Sequence, residues 1–261
     1  MSARHASAAL PGFRARAFAR GGEDLDIEFD AQSATVAASE LLLLCLRAPD
    51  GSAFEAEALR HWSVAERLQG LLAIARASVG EVLPALARCL DRECAGQIEL
   101  ELGLRQFERV APADFAWSAP DGHTVRCRLP TPVDLQAWWR EGDGEEGWLA
   151  RRLLLQVDGR VPAPEWPLPD AWLAPMSQAL QDVDPLTALT LEVPCPFCGR
   201  ATPVAIDLET LLLDALRRRQ HAVLEEVHRL ARAYHWSEAQ IVAMPAWRRR
   251  RYLARVQAEF A

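Results

Sequence analysis

Residues Leu189 to Leu213 read LTLEVPCPFCGRATPVAIDLETLLL. Apolar and polar residues alternate up to Pro194, and the chain then turns at Cys195-Pro196-Phe197-Cys198-Gly199. A second strand-like run follows and gives way to a leucine-rich segment, so the stretch predicts strand, tight turn, strand, helix. A CPxCG turn between two short strands is how a zinc knuckle is built. Two closely spaced thiolates converge on one metal, and the glycine lets the backbone double back beneath it. One knuckle supplies half of the four ligands of a closed structural site.

A second pair exists. Cys89 and Cys94 stand in ARCLDRECAGQIELELGL, a C-x4-C spacing within the range of zinc ligand pairs. Gly96 follows, then an alternating strand from Ile98 to Leu104. Both clusters thus run apolar segment, cysteine pair, glycine, strand, which suggests two related halves. The expectation is one four-thiolate zinc site from Cys89, Cys94, Cys195 and Cys198. Two other readings stay open. One is a decayed knuckle without metal. The other is a thiol–disulfide motif, which needs Cys195 at a helix N-terminus to lower its pKa, whereas a strand-like VAIDL follows here. Cys45 and Cys127 lie in apolar or alternating contexts and read as core residues.

At 261 residues the chain has room for one large domain or two small ones. It contains no lysine and no asparagine, which reads as codon bias and weakens any argument from arginine abundance. The net charge of −7 argues against a general nucleic-acid binder. Six cysteines without a recognisable leader suit reduced thiols of a cytoplasmic protein better than a disulfide scaffold. No apolar run reaches membrane-spanning length, and Leu41–Leu46 is too short and too deep for a signal peptide.

Residues 1–23 read as a flexible leader. Leu25–Phe29 alternates like a strand, and Ala38–Leu46 suits a buried helix or strand equally. Ser63 and Glu66 form a capping box that starts a helix ended by Gly80. Glu81–Leu90 reads as helical or irregular, with Pro84 in its first turn. Val110–Pro120 looks like a linker, overlapping a hairpin from Trp117 to Leu129 around a Pro-Asp-Gly turn. Thr131 caps a helix to Arg140, Trp148–Val157 returns to helix, Val161–Pro169 is extended, and Asp170–Gln181 is helical. Leu208–Tyr234 predicts one long helix. Ser237 then caps Glu238–Met244, and Ala246–Phe260 forms the last helix. The domain division is 1–23, 24–110, 111–208 and 209–261.

Other motifs have plainer readings. His221, His228 and His235 repeat every seven residues, too far apart along a helix for one metal, and read as packing or capping residues. Trp62 and Trp236 each precede a capping serine, where a hydrophobic staple sits. Arg248, Arg249, Arg250 and Arg251 follow a helix–turn–helix-like layout. They suit a solvated face or an acidic protein groove, with DNA as the alternative.

Residues 226–253, EVHRLARAYHWSEAQIVAMPAWRRRRYL, resemble the closing signature of the baseplate-hub assembly chaperone family, encoded with contractile phage tails and contractile injection systems. Glu226, His228, Leu230, Ala231, Tyr234, Trp236, Ser237, Glu238, Ile241, Pro245, Arg248, Arg249, Tyr252 and Leu253 carry the resemblance. Asp184-Pro185, the CPFCG segment and PDGHTVRCRLPTPVDL extend it over about residues 115–255. The resemblance implies a non-enzymatic protein that helps assemble a baseplate hub or wedge. Its zinc ligands carry over to Cys195 and Cys198, while C-x4-C departs from its CPxCG. The expected fold is α+β: two pseudo-repeated helix–knuckle–strand halves meet at a zinc-ribbon-like four-cysteine centre, with an all-helical C-terminal extension. Trp166, Trp172 and Arg248–Arg251 are the expected protein contacts, since interfaces favour Trp and Arg. The competing expectation is a zinc-containing, helix–turn–helix-like DNA-binding regulator.

Overall fold

The N-terminal segment is tied down. In the computed structural model, which describes residues 12–110, 112–143, 145–163 and 166–259, strand β1 (Arg14–Ala15) pairs antiparallel with β2 (Leu46–Arg47). Phe18 and Ala19 are buried. Of the leader expected over 1–23, residues 12–23 are therefore part of the fold, and 1–11 lie outside the described residues. The Leu25–Phe29 stretch is not a strand. Gly22–Asp26 forms a 3-10 turn because the buried Asp24 carboxylate accepts the Arg20 and Gly21 N–H groups and the Arg16 guanidinium. Helix α1 (Ala34–Cys45) settles the ambiguity of the next segment in favour of helix, and a short α2 (Ala56–Arg60) follows.

Helix α3 (Val64–Val79) starts at the expected box: Ser63 N–H donates to Glu66 Oε2 at 2.7 Å. It crosses α1 closely at Gly70, where a Cβ would come within 2.5 Å of Leu42. After Gly80 the chain forms β3 (Val82–Arg88), paired antiparallel with β4 (Gln97–Gly103), so the helical reading of 81–90 is corrected. Pro84 is tolerated because the bonded positions are the odd ones. Leu104 donates to Glu81 and Cys89 to Gly96, which leaves the Pro84 nitrogen facing away from β4.

The presumed linker contains strand β5 (Asp114–Ser118), which pairs with β6 (Thr124–Arg128). Helix α4 (Pro132–Glu141) is capped by Thr131, as expected. The helix expected over 148–157 is instead α5 (Glu146–Leu153) followed by β7 (Leu154–Val157), the third strand on β6. A 3-10 turn at Asp170–Trp172 leads into α6 (Leu173–Val183). Strands β8 (Thr190–Pro194) and β9 (Ala201–Ala205) form the second hairpin. Helices α7 (Leu208–Tyr234), α8 (Glu238–Val242) and α9 (Ala246–Glu259) complete the chain. Among the described residues no helix is long and apolar enough to cross a membrane.

Two main cores result. The larger runs from Phe18 to Val242 and joins α1, α3, β3 and β4 to Val204, Ile206 and the inner face of α7. Helix α7 packs chiefly on α3, and its buried Gln220 donates to Ile27 O at 2.8 Å. The larger core leaves the chain after Phe107, the second is drawn mainly from Phe115 onward, and the larger resumes at Leu186, so position 208/209 lies inside the larger core and α7 is a central element of it. The second core gathers Phe115, Val125, Cys127, Leu153, Trp172 and Met176.

A local pattern recurs across the two halves. Ala48-Pro49-Asp50-Gly51-Ser52 and Ala119-Pro120-Asp121-Gly122-His123 close with the same hydrogen bonds, Ala48 N–H to Ser52 O and Ala119 N–H to His123 O, both 2.9 Å. Their glycines share φ values of 90° and 91°. The capping-box helices downstream, α3 after the intervening α2 in the first half and α4 in the second, meet at their starts, where Val64 N–H donates to Pro130 O at 2.8 Å.

Candidate metal centre

The two hairpins present their turns to each other. Cys89 directly follows β3 and its N–H donates to Gly96 O at 2.9 Å; Cys195 directly follows β8 and its N–H donates to Arg200 O at 2.9 Å. The second cysteine of each pair precedes a left-handed residue, Ala95 (φ 45°) and Gly199 (φ 73°). The N–H of that residue donates four positions back, to Asp91 O and to Cys195 O, both at 2.8 Å. The C-x4-C turn thus ends in the same geometry as CPFCG, with Asp91 where Cys195 stands and Cys89 set back by two residues.

All four sulfurs lie within 4.8 Å of one another. Across the hairpins, Cys89 Sγ is 3.7 Å from Cys198 Sγ, and Cys94 Sγ is 3.7 Å from Cys195 Sγ. Thiolates about 2.3 Å from a tetrahedral zinc stand about 3.8 Å apart, so the donor set has the size of a tetrahedral thiolate site. Cys89 and Cys195 are buried, Cys94 is half-buried and Cys198 is exposed. No helix begins at the CPFC pair, which is the geometry a thiol–disulfide site needs.

The thiols do not ionise alike. The Cys198 N–H, with that of Phe197, holds the Cys195 thiol down at about 7 against the opposing effect of burial. At Cys94 the Gly96 N–H acts in the same sense, but desolvation and the neighbouring sulfurs outweigh it and push the thiol up to about 12. Cys198 also moves upward, because burial and the Cys89 and Cys195 sulfurs outweigh the Arg200 N–H. Cys45 and Cys127 are wholly buried core residues, as expected, and burial raises each to about 11.

Side chains around the cluster lock the turns together. Arg200 Nη1 reaches Asp91 Oδ2 at 2.6 Å, and Thr202 Oγ1 donates to Cys89 Sγ at 3.7 Å. Phe197 lies over Gly96, where a Cβ would come within 2.4 Å of its ring. Sequence reasoning missed these partners. Only the Asp91 turn, where Glu93 N–H donates to Asp91 Oδ1, left a local cue.

The expected contact residues separate. Trp172 is corrected from exposed to buried: it is 1% exposed, and its Nε1 donates to Asp121 Oδ2 at 2.9 Å. Half-buried Trp166 packs against it with ring centroids 5.4 Å apart. Arg249 is likewise buried, with Nε on Glu226 at 2.9 Å and Nη1 on Met244 O at 2.7 Å. Arg248, Arg250 and Arg251 are exposed, and Arg251 lies over the exposed Trp247 ring. His221, His228 and His235 are exposed, so the first two do not pack; His235 takes the left-handed C-cap of α7. Trp62 is buried in the larger core.

Comparison with known protein families, curated proteins and solved structures finds no match for this chain.

Proposed function

We propose that this chain is a non-enzymatic, protein-binding assembly factor or structural subunit of a contractile-tail or injection-system baseplate, held together by a structural zinc ion on Cys89, Cys94, Cys195 and Cys198. The observation that carries the baseplate reading is the resemblance of residues 226–253. In the structure that string forms the α7–α8–α9 corner. Tyr234, Trp236 and Tyr252 cluster with centroids 4.6 to 5.5 Å apart, Ser237 caps α8, and Glu226 holds Arg249. These contacts are those of a scaffold, in keeping with an assembly role. The zinc reading, with its zinc-ribbon-like pairing of hairpins, rests on the sulfur spacing. The two pseudo-repeated halves rest on the matched knuckle turns and the paired Ala-Pro-Asp-Gly turns.

Hub or wedge proteins are the partners in this reading, met in the cytoplasm or within the assembled particle. Trp247, Arg248 and Arg251 offer the contact surface in place of Trp166 and Trp172. The DNA-regulator alternative has less support, since Arg249 is already committed to Glu226.

Two experiments test the two parts. Metal analysis of the purified chain yields about one zinc per chain; a folded chain that is purified without zinc and does not take it up removes the zinc part. Deleting the gene from a host that assembles contractile particles abolishes complete baseplates in electron micrographs. Normal particles in its absence sink the assembly role, and mass spectrometry of wild-type particles separates subunit from departing factor.

A further inference from the structure

A cavity of about 510 Å³ opens between the N-terminal segment, α7 and the start of α9. Arg20, Arg219 and Arg250 reach it from three separate parts of the chain, and Arg249 lines it as well. Glu226, the carboxylate that acts on Arg219, is engaged by Arg249. Among the described residues Arg20, Arg219 and Arg250 have no carboxylate within ion-pair distance. Arg219 is half-buried; desolvation lowers its guanidinium pKa, and Arg249, Arg20 and Arg250 add to this against Glu226. Gathering like charges in a partly desolvated pocket is unfavourable unless a counter-charge joins them.

The remaining wall brings the apolar side chains of Phe18, Val242, Met244 and Trp247, together with Ser78. Ala246 and Trp247 also bring the first N–H groups of α9, which a helix leaves without internal partners. The volume lies within the range of about 300–1,000 Å³ typical of small-molecule sites and exceeds what a lone phosphate fills.

We infer that this cavity binds a small organic phosphate, with its phosphoryl group on Arg20, Arg219 and Arg250 and its organic body against Met244 and Trp247. Arginine forks match phosphoryl oxygens in pairs, and a dianion offsets the excess positive charge better than a carboxylate does. The inference is independent of the zinc and baseplate readings.

Calorimetric titration of the intact protein with inorganic pyrophosphate, at ionic strength fixed by chloride, tests it. The expected result is one saturable site per chain. Arg20→Ala and Arg250→Ala, both at exposed positions, each weaken binding about tenfold through loss of charge-assisted hydrogen bonds while leaving Tm unchanged. Arg218→Ala, on the same helix but outside the cavity, binds as wild type. Absence of saturable binding, or an equal loss in Arg218→Ala, overturns the site. Glutarate binding as tightly overturns the phosphoryl assignment, and a single-stranded oligonucleotide that displaces pyrophosphate overturns the small-molecule one.

Discussion

Ala95 occupies a left-handed backbone conformation with φ 45° where the matching turn has Gly199. A Cβ there costs about 1–2 kcal/mol, whereas glycine has no such penalty but a more flexible unfolded state. Ala95→Gly is therefore expected to stabilise the protein by about 0.5–1 kcal/mol in urea denaturation. Its neighbour behaves oppositely. Gly96→Ala drives a methyl group into the Phe197 ring, and about 1–3 kcal/mol is lost. Adding Phe197→Ala to Gly96→Ala restores part of that loss, since the three atoms nearest the added methyl all belong to this side chain. Additive losses in the double variant would refute the contact. Adjacent residues thus respond to substitution with opposite signs, one through backbone conformation and the other through space.

At the level of the element, Asp134 shows how a cap becomes a structural hub. Its carboxylate is buried and accepts from Arg128, Arg152 and Thr131 at the start of α4. Burial alone raises its pKa, but the Arg128 hydrogen bond, with those of Thr131 and Arg152, outweighs this and holds it far below the usual carboxylate range. Depressed in the folded state, it contributes stability that is complete above the unfolded value of about 3.9 and lost as pH falls toward the lower folded value. Asp134→Asn should cost about 3 kcal/mol at pH 7, and the gap to wild type should narrow below about pH 4. Denaturation midpoints at pH 7 and pH 3 measure both, and a constant gap contradicts the assignment.

The elements also show what a sequence can and cannot reveal. Thr131, Ser63 and Ser237 announced their helices because capping is local chemistry. The cysteine pairs were legible because metal ligation ties residue type to spacing. Strand β3 was hidden: its exposed Val82, Pro84 and Leu86 are as apolar as its buried Leu83 and Ala85, so the alternation left no trace. Trp172 and Arg249 were misjudged because burial was decided by partners far along the chain, Asp121 and Glu226.

For the whole molecule, the four sulfurs tie two hairpins whose cysteines pair across 101 and 109 residues. Neither hairpin depends on the sulfurs alone, since Leu83 and Leu102 of one and Val204 of the other are buried in the larger core. On the proposed zinc reading, metal at about a thousand times its Kd would contribute about 4 kcal/mol through the folded state. For a chain of this size that corresponds to about 8–16 °C in Tm. A strong chelator should lower Tm by that amount, and zinc should restore it. Cys195→Ser should abolish the chelator's effect as well as the metal. A Tm indifferent to chelator would show that the sulfurs are held by packing alone.

The same separation carries a consequence in time. During synthesis, Cys94 emerges about a hundred residues before its partners, a delay of about 5–20 s at about 5–20 residues per second. The first thiol pair waits through that interval without the two thiols that complete the four-sulfur cluster. Its Asp91-centred turn needs only residues already made, whereas the Arg200 latch and the Phe197 cover arrive with the second hairpin. On the proposed zinc reading, the nascent chain would present a transient two-thiol chelator, which would become a closed site only once the second knuckle has been synthesised.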